Sequence, residues 1–440
     1  MEGYTASEIN LSKRLKNLVK ANQSLAHIES LNDLLPQLLD LAQEVTSAEA
    51  SSILLYNPAA DVLEFALAKN EALGEETEQI LKRNVELKMG EGLAGWVAAN
   101  RKPVIIQDVQ RDERFFKEAD HYTGFQTRTL LCVPIVYGEE LLGVIEVLNS
   151  KDRFCFDKED EEILDSFGQL AGVAIIRSRL LETQLKQQKL QIELEAASQI
   201  QAQFCPQCPE MASGSNTWAV SLPAAFVGGD LYDLIQMVDG SWLTYVADVC
   251  GKGLPAALIM VALWARIRSE ALVDKKVDEV LKCVNSAMYS LLAKEGFFAT
   301  IVMGRYWPAT GRMQLVRGGH LFPLWFVGKG LGKLPELKGI PLGVIPKPHY
   351  DTREIILEPG QSILFITDGV TEARNDRDEF FGSHRLAKYV NTTKGPPWGS
   401  KLLEEVRAWR GEGEATDDLT ILEIWREPSG FLSPSGSPLE

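Results

Sequence analysis

Residues 242–258 of the chain read Trp-Leu-Thr-Tyr-Val-Ala-Asp-Val-Cys-Gly-Lys-Gly-Leu-Pro-Ala-Ala-Leu. The apolar run at residues 242–247 predicts a buried strand, and Asp248 follows it directly, ahead of a glycine-rich turn. Pro255 then opens a helical pattern that continues to Leu272. A strand that ends in an acidic residue before a sharp turn holds that carboxylate on rigid backbone at the rim of a sheet.

Three further aspartates in the second half of the chain stand in comparable places. Asp230 follows two glycines, Asp368 ends an apolar run before another glycine, and Asp417 precedes the apolar run at residues 419–425. Oxygen ligands of this kind suit Mg²⁺ or Mn²⁺, and two such ions lower the pKa of a bridging water and neutralise a phosphate. Because spacing alone does not show that the carboxylates converge, separate turn or cap roles are the alternative.

Length and charge restrict the class of protein. The 440 residues suffice for two or three domains, and 45% hydrophobic with 24% charged residues is typical of a globular chain. A formal net charge of −16 argues against a nucleic-acid partner, since duplex affinity comes mostly from cationic groups. We expect no membrane span and no secretory signal, because long apolar stretches are missing. The scattered cysteines, including the pair Cys205 and Cys208, are typical of free thiols in a reducing, cytoplasmic compartment.

The order of apolar runs and turns divides the chain into successive parts. Residues 25–176 alternate short apolar runs with turn residues between two helical patterns, which predicts an α+β domain with an antiparallel sheet. Residues 206–426 form a second domain of strands and helices. We predict a helical segment at 1–24 and, from the Pro-, Ser- and Gly-rich composition, a disordered tail at 427–440.

Residues 177–205 connect the two domains. From Ile176 to Phe204 the chain contains neither glycine nor proline and is rich in good helix formers. A stripe of residues recurs at alternating steps of four and three, which favours a coiled coil in a parallel homodimer over a single solvated helix. The stripe consists of Ile176, Leu180, Thr183, Gln187, Leu190, Leu194, Ala197, Gln201 and Phe204.

Several motifs of the second domain occur in the order of a known family. They are Val-Gly-Gly-Asp-Leu-Tyr-Asp at 227–233, Ala-Asp-Val-Cys-Gly-Lys-Gly at 247–253, Arg-Gly-Gly-His at 317–320, Thr-Asp-Gly-Val-Thr-Glu-Ala at 367–373 and Asp-Asp-Leu-Thr at 417–420. With these motifs, residues 190–426 resemble the bacterial metal-dependent protein phosphatases (PPM, type 2C-like), in the branch of sporulation-stage and sigma-factor-regulator serine phosphatases. The resemblance implies an α/β/β/α sandwich and a pair of Mn²⁺ or Mg²⁺ ions that serve the hydrolysis of phosphoserine or phosphothreonine.

The same resemblance implies a role for each acidic residue. Asp248 bridges both ions, Asp230 and the backbone carbonyl of Val249 hold the second ion, and Asp368 and Asp417 hold the first. Asp248 and Asp230 are therefore the catalytic candidates, and water activated by the metal pair attacks phosphorus in line. All four acidic positions are filled, which favours an active enzyme.

We assign no metal-binding role to three other residues of these motifs. We interpret His320 as structural, and Arg317 as a solvated residue at a strand end rather than a phosphate contact. Cys250 stands where the family usually has a small residue. We interpret it as a buried small side chain, and a redox-sensitive thiol is the alternative.

Residues 25–176 resemble a GAF sensor domain, through the segments at 90–97, 103–109, 131–135 and 143–149. The input of this domain stays open between a small molecule and a protein. The signature of cyclic-nucleotide-binding members is interrupted at Ser150. The residues that nearly fit it are Asn149, Lys151, Phe156, Asp160 and Glu161.

Together, the two resemblances imply a signalling serine/threonine phosphatase that the GAF domain controls through the connecting helix. By resemblance, its substrate is a phosphorylated regulatory protein such as an antagonist of an anti-sigma factor. One alternative is a catalytically weak scaffold that only binds phosphoproteins, and another is a small-molecule sensor.

Overall fold

The structure is a computed structural model that describes residues 28, 30–70, 86–328, 330–393 and 395–428. The chain divides into two units, of which the first ends at Lys189 and the second begins at Leu190. The predicted helical segment at 1–24 and all but two residues of the predicted tail at 427–440 lie outside the described residues.

The first unit is built on one antiparallel sheet. Its strands are β1 (Ala48–Asn57), β2 (Val62–Asn70), β3 (Glu86–Lys88), β4 (Val104–Ile106), β5 (Leu130–Tyr137) and β6 (Glu140–Ser150). They lie in the order β3-β2-β1-β6-β5-β4, and all neighbours are antiparallel. Strands β5 and β6 form a hairpin, in which Gly138 adopts a φ of 59° that glycine reaches without strain.

Helices cover both faces of this sheet. They are α1 (Leu31–Thr46), α2 (Gly92–Asn100), α3 (Lys117–Thr123) and α4 (Lys158–Ala202). Helix α1 and the first part of α4 bury side chains such as Leu38 and Phe167 against one face, because their apolar residues recur every three or four positions. Helices α2 and α3 lie on the other face. The predicted α+β domain is confirmed.

Helix α4 joins two segments that the sequence analysis treats separately. Asp157 caps its start, since the carboxylate accepts hydrogen bonds from the backbone N–H groups of Glu159 and Asp160. The helix then continues without interruption through the connecting segment and ends at Ala202, three residues before the predicted end. The structure therefore has one continuous helix where the sequence predicts a domain helix followed by a separate linker.

The middle of the stripe along α4, from Leu180 to Leu190, is open to solvent in the single chain. Leu180 and Leu190, two of its apolar members, expose 65% and 57% of their surface. Large apolar side chains in such positions are commonly covered by a partner. The coiled coil itself stays a prediction.

The second unit contains two antiparallel sheets of five strands each. The strands are β7 (Ser215–Leu222), β8 (Leu231–Gln236), β9 (Trp242–Val249), β10 (Ala299–Trp307), β11 (Arg312–Gly318), β12 (Leu324–Val327), β13 (Gly330–Leu331), β14 (Thr352–Ile356), β15 (Ser362–Ile366) and β16 (Leu419–Arg426). One sheet has the order β14-β11-β10-β9-β8 and the other the order β13-β12-β15-β16-β7.

Two helices cover the outer face of each sheet. They are α5 (Leu254–Ala271) and α6 (Val277–Lys294) on the first sheet, and α7 (Gly382–Thr392) and α8 (Trp398–Arg410) on the second. Between the sheets, Val246 and Val302 share a buried cluster with Phe365 and Leu422. The unit is therefore the α/β/β/α sandwich that the family resemblance implies.

Strong apolar periodicity marks the elements that the sequence predicts best. The predicted strand at 242–247 and helix at 255–272 agree with β9 and α5 to within two residues. The sequence pattern does not predict β7, β8, β12, β13, β14, α7 and α8. Several of these are short or carry polar residues, so they offer too few apolar positions for a clear period.

None of the helices that the structure describes combines the length and the apolar character that a bilayer span requires.

A buried ion pair ties α5 to the first sheet of the sandwich. Asp233 in β8 is fully buried, and Arg268 in α5 donates two hydrogen bonds of 2.7 and 2.8 Å to its carboxylate. The hydrogen bonds to Asp233 raise the pKa of Arg268. Such a pair is costly to break from one side, because the remaining charge stays buried.

We expect Arg268→Met to lower the free energy of unfolding by about 3 kcal/mol, since Asp233 loses its partner. Denaturant unfolding of the full chain measures the loss. Lys186→Met, which breaks an exposed pair with Glu182 on α4, is the matched control and should cost no more than about 0.5 kcal/mol. Similar losses in both variants would contradict the importance of the buried pair.

Candidate metal centre

Strand register brings the four predicted acidic residues to one end of the sandwich. Leu231 pairs with Ala247, so Asp230 and Asp248 lie side by side at the edge of the first sheet. In the second sheet, β15 ends at Ile366 and β16 begins at Leu419 beside it. Asp368 and Asp417 therefore occupy the matching end. Antiparallel neighbours place the end of one strand next to the start of the other.

Asp248 carries the clearest electrostatic signature of this cluster. Burial, followed by the negative charges of Asp368 and Asp417, raises its pKa to about 7. Burial also raises the pKa of Asp368, with Asp417 as the next cause. Each carboxylate therefore disfavours the ionised form of its neighbours.

Asp230 is the most buried of the four, with 6% of its surface exposed. Burial raises its pKa well above the ordinary value, and the charge of Asp248 adds to the effect. Thr367, which precedes Asp368 in the second sheet, donates a hydrogen bond of 2.8 Å from Oγ1 to Asp230 Oδ2. This bond joins the two sheets at the cluster and fixes the orientation of the carboxylate.

The carboxylate oxygens of the cluster are suitable ligands for a hard divalent cation. The carboxylates repel one another, and a cation between them would lower the pKa values that burial has raised. Within the described ranges, no three Asp, Glu, His or Cys side chains form a closed ligand cage around one point. Mg²⁺ and its analogues commonly take one or two carboxylates and keep several waters, so the arrangement is compatible with them.

Asp418 belongs to the motif at 417–420, but the sequence pattern predicts no role for it. Its Oδ2 accepts a hydrogen bond of 2.7 Å from the backbone N–H of Gly229 and a longer one from Asp230. Its Oδ1 accepts one of 2.8 Å from Ala224. The carboxylate thus holds the loop that carries Asp230, although a sequence pattern cannot distinguish this role from that of Asp417.

Glycine is required at two positions because backbone and side chains approach closely. A Cβ atom at Gly228 would lie 2.2 Å from Asp418 Oδ2, and one at Gly369 would lie 1.9 Å from the carbonyl oxygen of Asp418.

Val249, whose carbonyl the family resemblance assigns to a metal, donates its N–H to the carbonyl of Gly229 at 3.3 Å. The placement of the Val249 carbonyl in a metal site stays a prediction.

Lys252 brings a positive charge to the rim of the cluster. Its Nζ lies 3.3 Å from Asp417 Oδ2 and donates a hydrogen bond of 2.5 Å to the carbonyl of Thr416. The side chain is mostly exposed. Its charge lowers the pKa of Asp368 and so partly offsets the repulsion there.

The structure shows the contacts of the three motif residues to which we assign no metal-binding role. His320 is buried, and its ring nitrogens contact Thr300 Oγ1 and the carbonyl of Ile366, which agrees with a structural role. Burial lowers its pKa to about 4. Arg317 is partly buried and donates to the backbone carbonyls of Leu337 and His320, so its interpretation as a solvated residue is wrong. Cys250 is half-buried, and its Sγ accepts a hydrogen bond from Phe298 N–H.

A second candidate site lies in the first unit. A cavity of about 80 Å³ is lined mainly by apolar side chains such as Phe65 and Phe116, together with Glu146. Ser52 donates a hydrogen bond of 2.9 Å to Glu146, whose pKa burial raises to about 7. Lys69 also lines the cavity, but it forms an ion pair with Asp40.

The residues that approach the cyclic-nucleotide signature lie elsewhere. Among the residues the structure describes, none of the five lines this cavity. Asn149 accepts hydrogen bonds from the backbone N–H groups of Arg128 and Thr129, Phe156 is part of the core, and Asp160 pairs with Arg153. Three of the five therefore serve the structure of the unit.

A two-sheet sandwich covered by helices, with acidic residues gathered at one end, defines the PP2C-like class of phosphatase domain. Comparison with family models agrees: residues 238–427 match the family described as Stage II sporulation protein E (SpoIIE). Residues 29–176 match the GAF domain family. The chain therefore combines a GAF domain with a SpoIIE-type phosphatase domain. The SpoIIE match includes Asp248, Asp368 and Asp417 and begins after Asp230.

Curated relatives match only parts of the chain. Protein IcfG of Synechocystis is 26% identical over 298 residues, which are 60% of this chain and 46% of that protein. The dual 3',5'-cyclic-AMP and -GMP phosphodiesterase 11 of Drosophila melanogaster is 38% identical over 128 residues, 29% of this chain and 9% of that protein. The chain thus spans less than half the length of these relatives.

The chain is also similar to parts of solved structures. The SiaA-PP2C domain of Pseudomonas aeruginosa is 24% identical, with a TM-score of 0.46, and covers 55% of this chain and 98% of that one. The RsbU and RsbW domains of a Mycobacterium tuberculosis protein are 25% identical, with a TM-score of 0.43, and cover 51% of this chain and 63% of that one.

The raised pKa of Glu146 predicts a pH-dependent stability of the first unit. Between about pH 4.5 and 7 the folded state keeps the proton that the unfolded state loses, so stability falls as the pH rises. Glu146→Gln has no proton to lose in this range. Its free energy of unfolding, compared with that of the wild type, should therefore rise by roughly 2 kcal/mol between pH 5 and pH 7.5.

Denaturant unfolding of both proteins at the two pH values measures this gain. Glu140→Gln, an exposed glutamate in the same strand β6, is the matched control and should show no such change. The prediction would be contradicted if Glu146→Gln and the wild type differed in stability by the same amount at both pH values.

Proposed function

We propose that this chain is a metal-dependent protein serine/threonine phosphatase under the control of its GAF domain. The observation that carries the proposal is the gathering of Asp230, Asp248, Asp368 and Asp417 at one end of the sandwich. Burial and neighbouring carboxylates raise the pKa values of the first three. Such a set is unfavourable without a cation. The match to the SpoIIE family supports a phosphatase reaction for this site.

Each residue of the centre has a proposed task. Asp248 would contact both ions, Asp230 and the Val249 carbonyl one of them, and Asp368 and Asp417 the other. When bound, the ion pair supplies the Lewis acidity that lowers the pKa of a water and neutralises phosphate charge.

Other side chains of the centre keep these ligands in place. Thr367 orients Asp230 through its hydroxyl, and Asp418 fixes the backbone of the same loop. Lys252 keeps a positive charge at the rim, where a phosphorylated side chain would enter.

The proposed substrate is a phosphoserine or phosphothreonine on a small regulatory protein, such as an antagonist of an anti-sigma factor. The motifs shared with the sigma-factor-regulator branch support this choice. The proposed input is a small molecule in the GAF cavity or a protein that contacts this domain. Helix α4, which starts in the first unit and ends in the second, would carry the signal.

We expect Asp248→Asn to lower the Mn²⁺-dependent hydrolysis of p-nitrophenyl phosphate by at least about a hundredfold, because it removes the shared ligand of both ions. Asp376→Asn, an exposed residue of the same unit, is the control and should retain full activity. A wild-type chain without turnover under any divalent cation would contradict the proposal. Tight binding of a phosphopeptide by that inactive chain would favour the scaffold alternative.

We further propose that the exposed middle of the stripe on α4, from Leu180 to Leu190, forms the interface of a parallel homodimer. Leu180→Lys combined with Leu190→Lys should convert the dimer to a monomer, because two like charges would face each other at each level of the seam. Light scattering after size-exclusion chromatography measures the mass. Leu185→Lys, an exposed leucine outside the stripe, is the matched control and should leave the mass unchanged. A monomeric wild type would contradict the proposal.

A further inference from the structure

The last turn of α4 makes a specific contact with the loop that carries Asp230. The side-chain amide of Gln201 forms two hydrogen bonds with one residue of that loop. Its Nε2 donates to the carbonyl of Gly228 at 2.7 Å, and its Oε1 accepts from the N–H of Gly228 at 3.0 Å. Both backbone groups of a single residue are therefore bound by one side chain, which fixes the loop in position and orientation.

The opposite side of this loop is held by Asp418. Its carboxylate accepts from Gly229 N–H at 2.7 Å, and it lies so close to Gly228 that no Cβ atom fits there. The loop thus lies between a side chain from α4 and a side chain from the start of β16. Asp230, two residues after Gly228, takes its position from both.

The contact through Gln201 lies beside unfilled space. A cavity of about 330 Å³ is lined by Gln201, Ser198, Asp230, Met260 and Asp418 among others. Just beyond the end of α4, the ring of Phe204 contacts that of Trp264 in α5, with the centroids 4.7 Å apart. A small shift or rotation of the last turn of α4 would lengthen both hydrogen bonds of the amide pair, because each depends on the distance and angle between its atoms.

We propose that Gln201 is a positioning residue for Asp230. The amide pair with Gly228 holds Asp230 in its ligating position, and a displacement of α4 releases it. This inference rests on the proposed function, because it assumes that Asp230 binds a metal ion. It adds the residue through which α4 acts on the metal centre.

The direct test is Mn²⁺ binding by the full chain, measured by titration calorimetry. Gln201→Met keeps the size of the side chain and removes both hydrogen bonds, so we expect the Mn²⁺ affinity to fall about tenfold. Gln199→Met, an exposed glutamine two residues away on the same helix, is the matched control and should bind Mn²⁺ like the wild type. If Gln201 had a purely structural role, Gln201→Met would lower the melting temperature without this change in affinity.

A second variant keeps the test decisive if Gln201→Met does not fold. Gln201→Glu keeps an acceptor for Gly228 N–H, loses the donor and should weaken Mn²⁺ binding in the same direction. Unchanged Mn²⁺ affinity in a folded Gln201 variant would overturn this inference alone. A wild type that binds no Mn²⁺ and hydrolyses no phosphate ester would instead overturn the proposed function.

Discussion

The repulsion among buried carboxylates at one end of the sandwich is the constraint on which the second unit depends. Asp230, Asp248 and Asp368 all have raised pKa values, and burial is the leading cause for each of them. A fold keeps such an arrangement only when the surrounding structure holds it firmly or a ligand compensates it. The remaining features of the site follow from these two requirements.

The firm hold comes from hydrogen bonds that connect separate elements. Thr367 joins the second sheet to Asp230 of the first, and Asp418 binds the backbone ahead of it. Gln201 adds a third connection from the end of α4. Because these bonds end on backbone groups or on a single carboxylate oxygen, small displacements of the three side chains change the geometry of the site.

The two units place acidic groups in different settings. Glu146 in the GAF domain lies in a small, mostly apolar cavity, where its hydrogen bond to Ser52 only partly offsets burial. Its raised pKa comes from desolvation, whereas the acids of the sandwich also feel one another. An isolated buried carboxyl of this kind suits a neutral or hydrogen-bonding role, and the cluster suits a cation.

The amino-acid sequence by itself determined the antiparallel sheet of the first unit, strand β9, helix α5 and the aspartates at strand ends, because apolar periodicity and turn residues act over a few positions. It also gave the motifs that indicate a phosphatase domain. Only the tertiary structure decided that Asp418 holds a loop beside Asp230, that Arg317 binds backbone carbonyls and that Gln201 reaches Gly228. These contacts join residues up to 189 positions apart, and sheet register and packing set them.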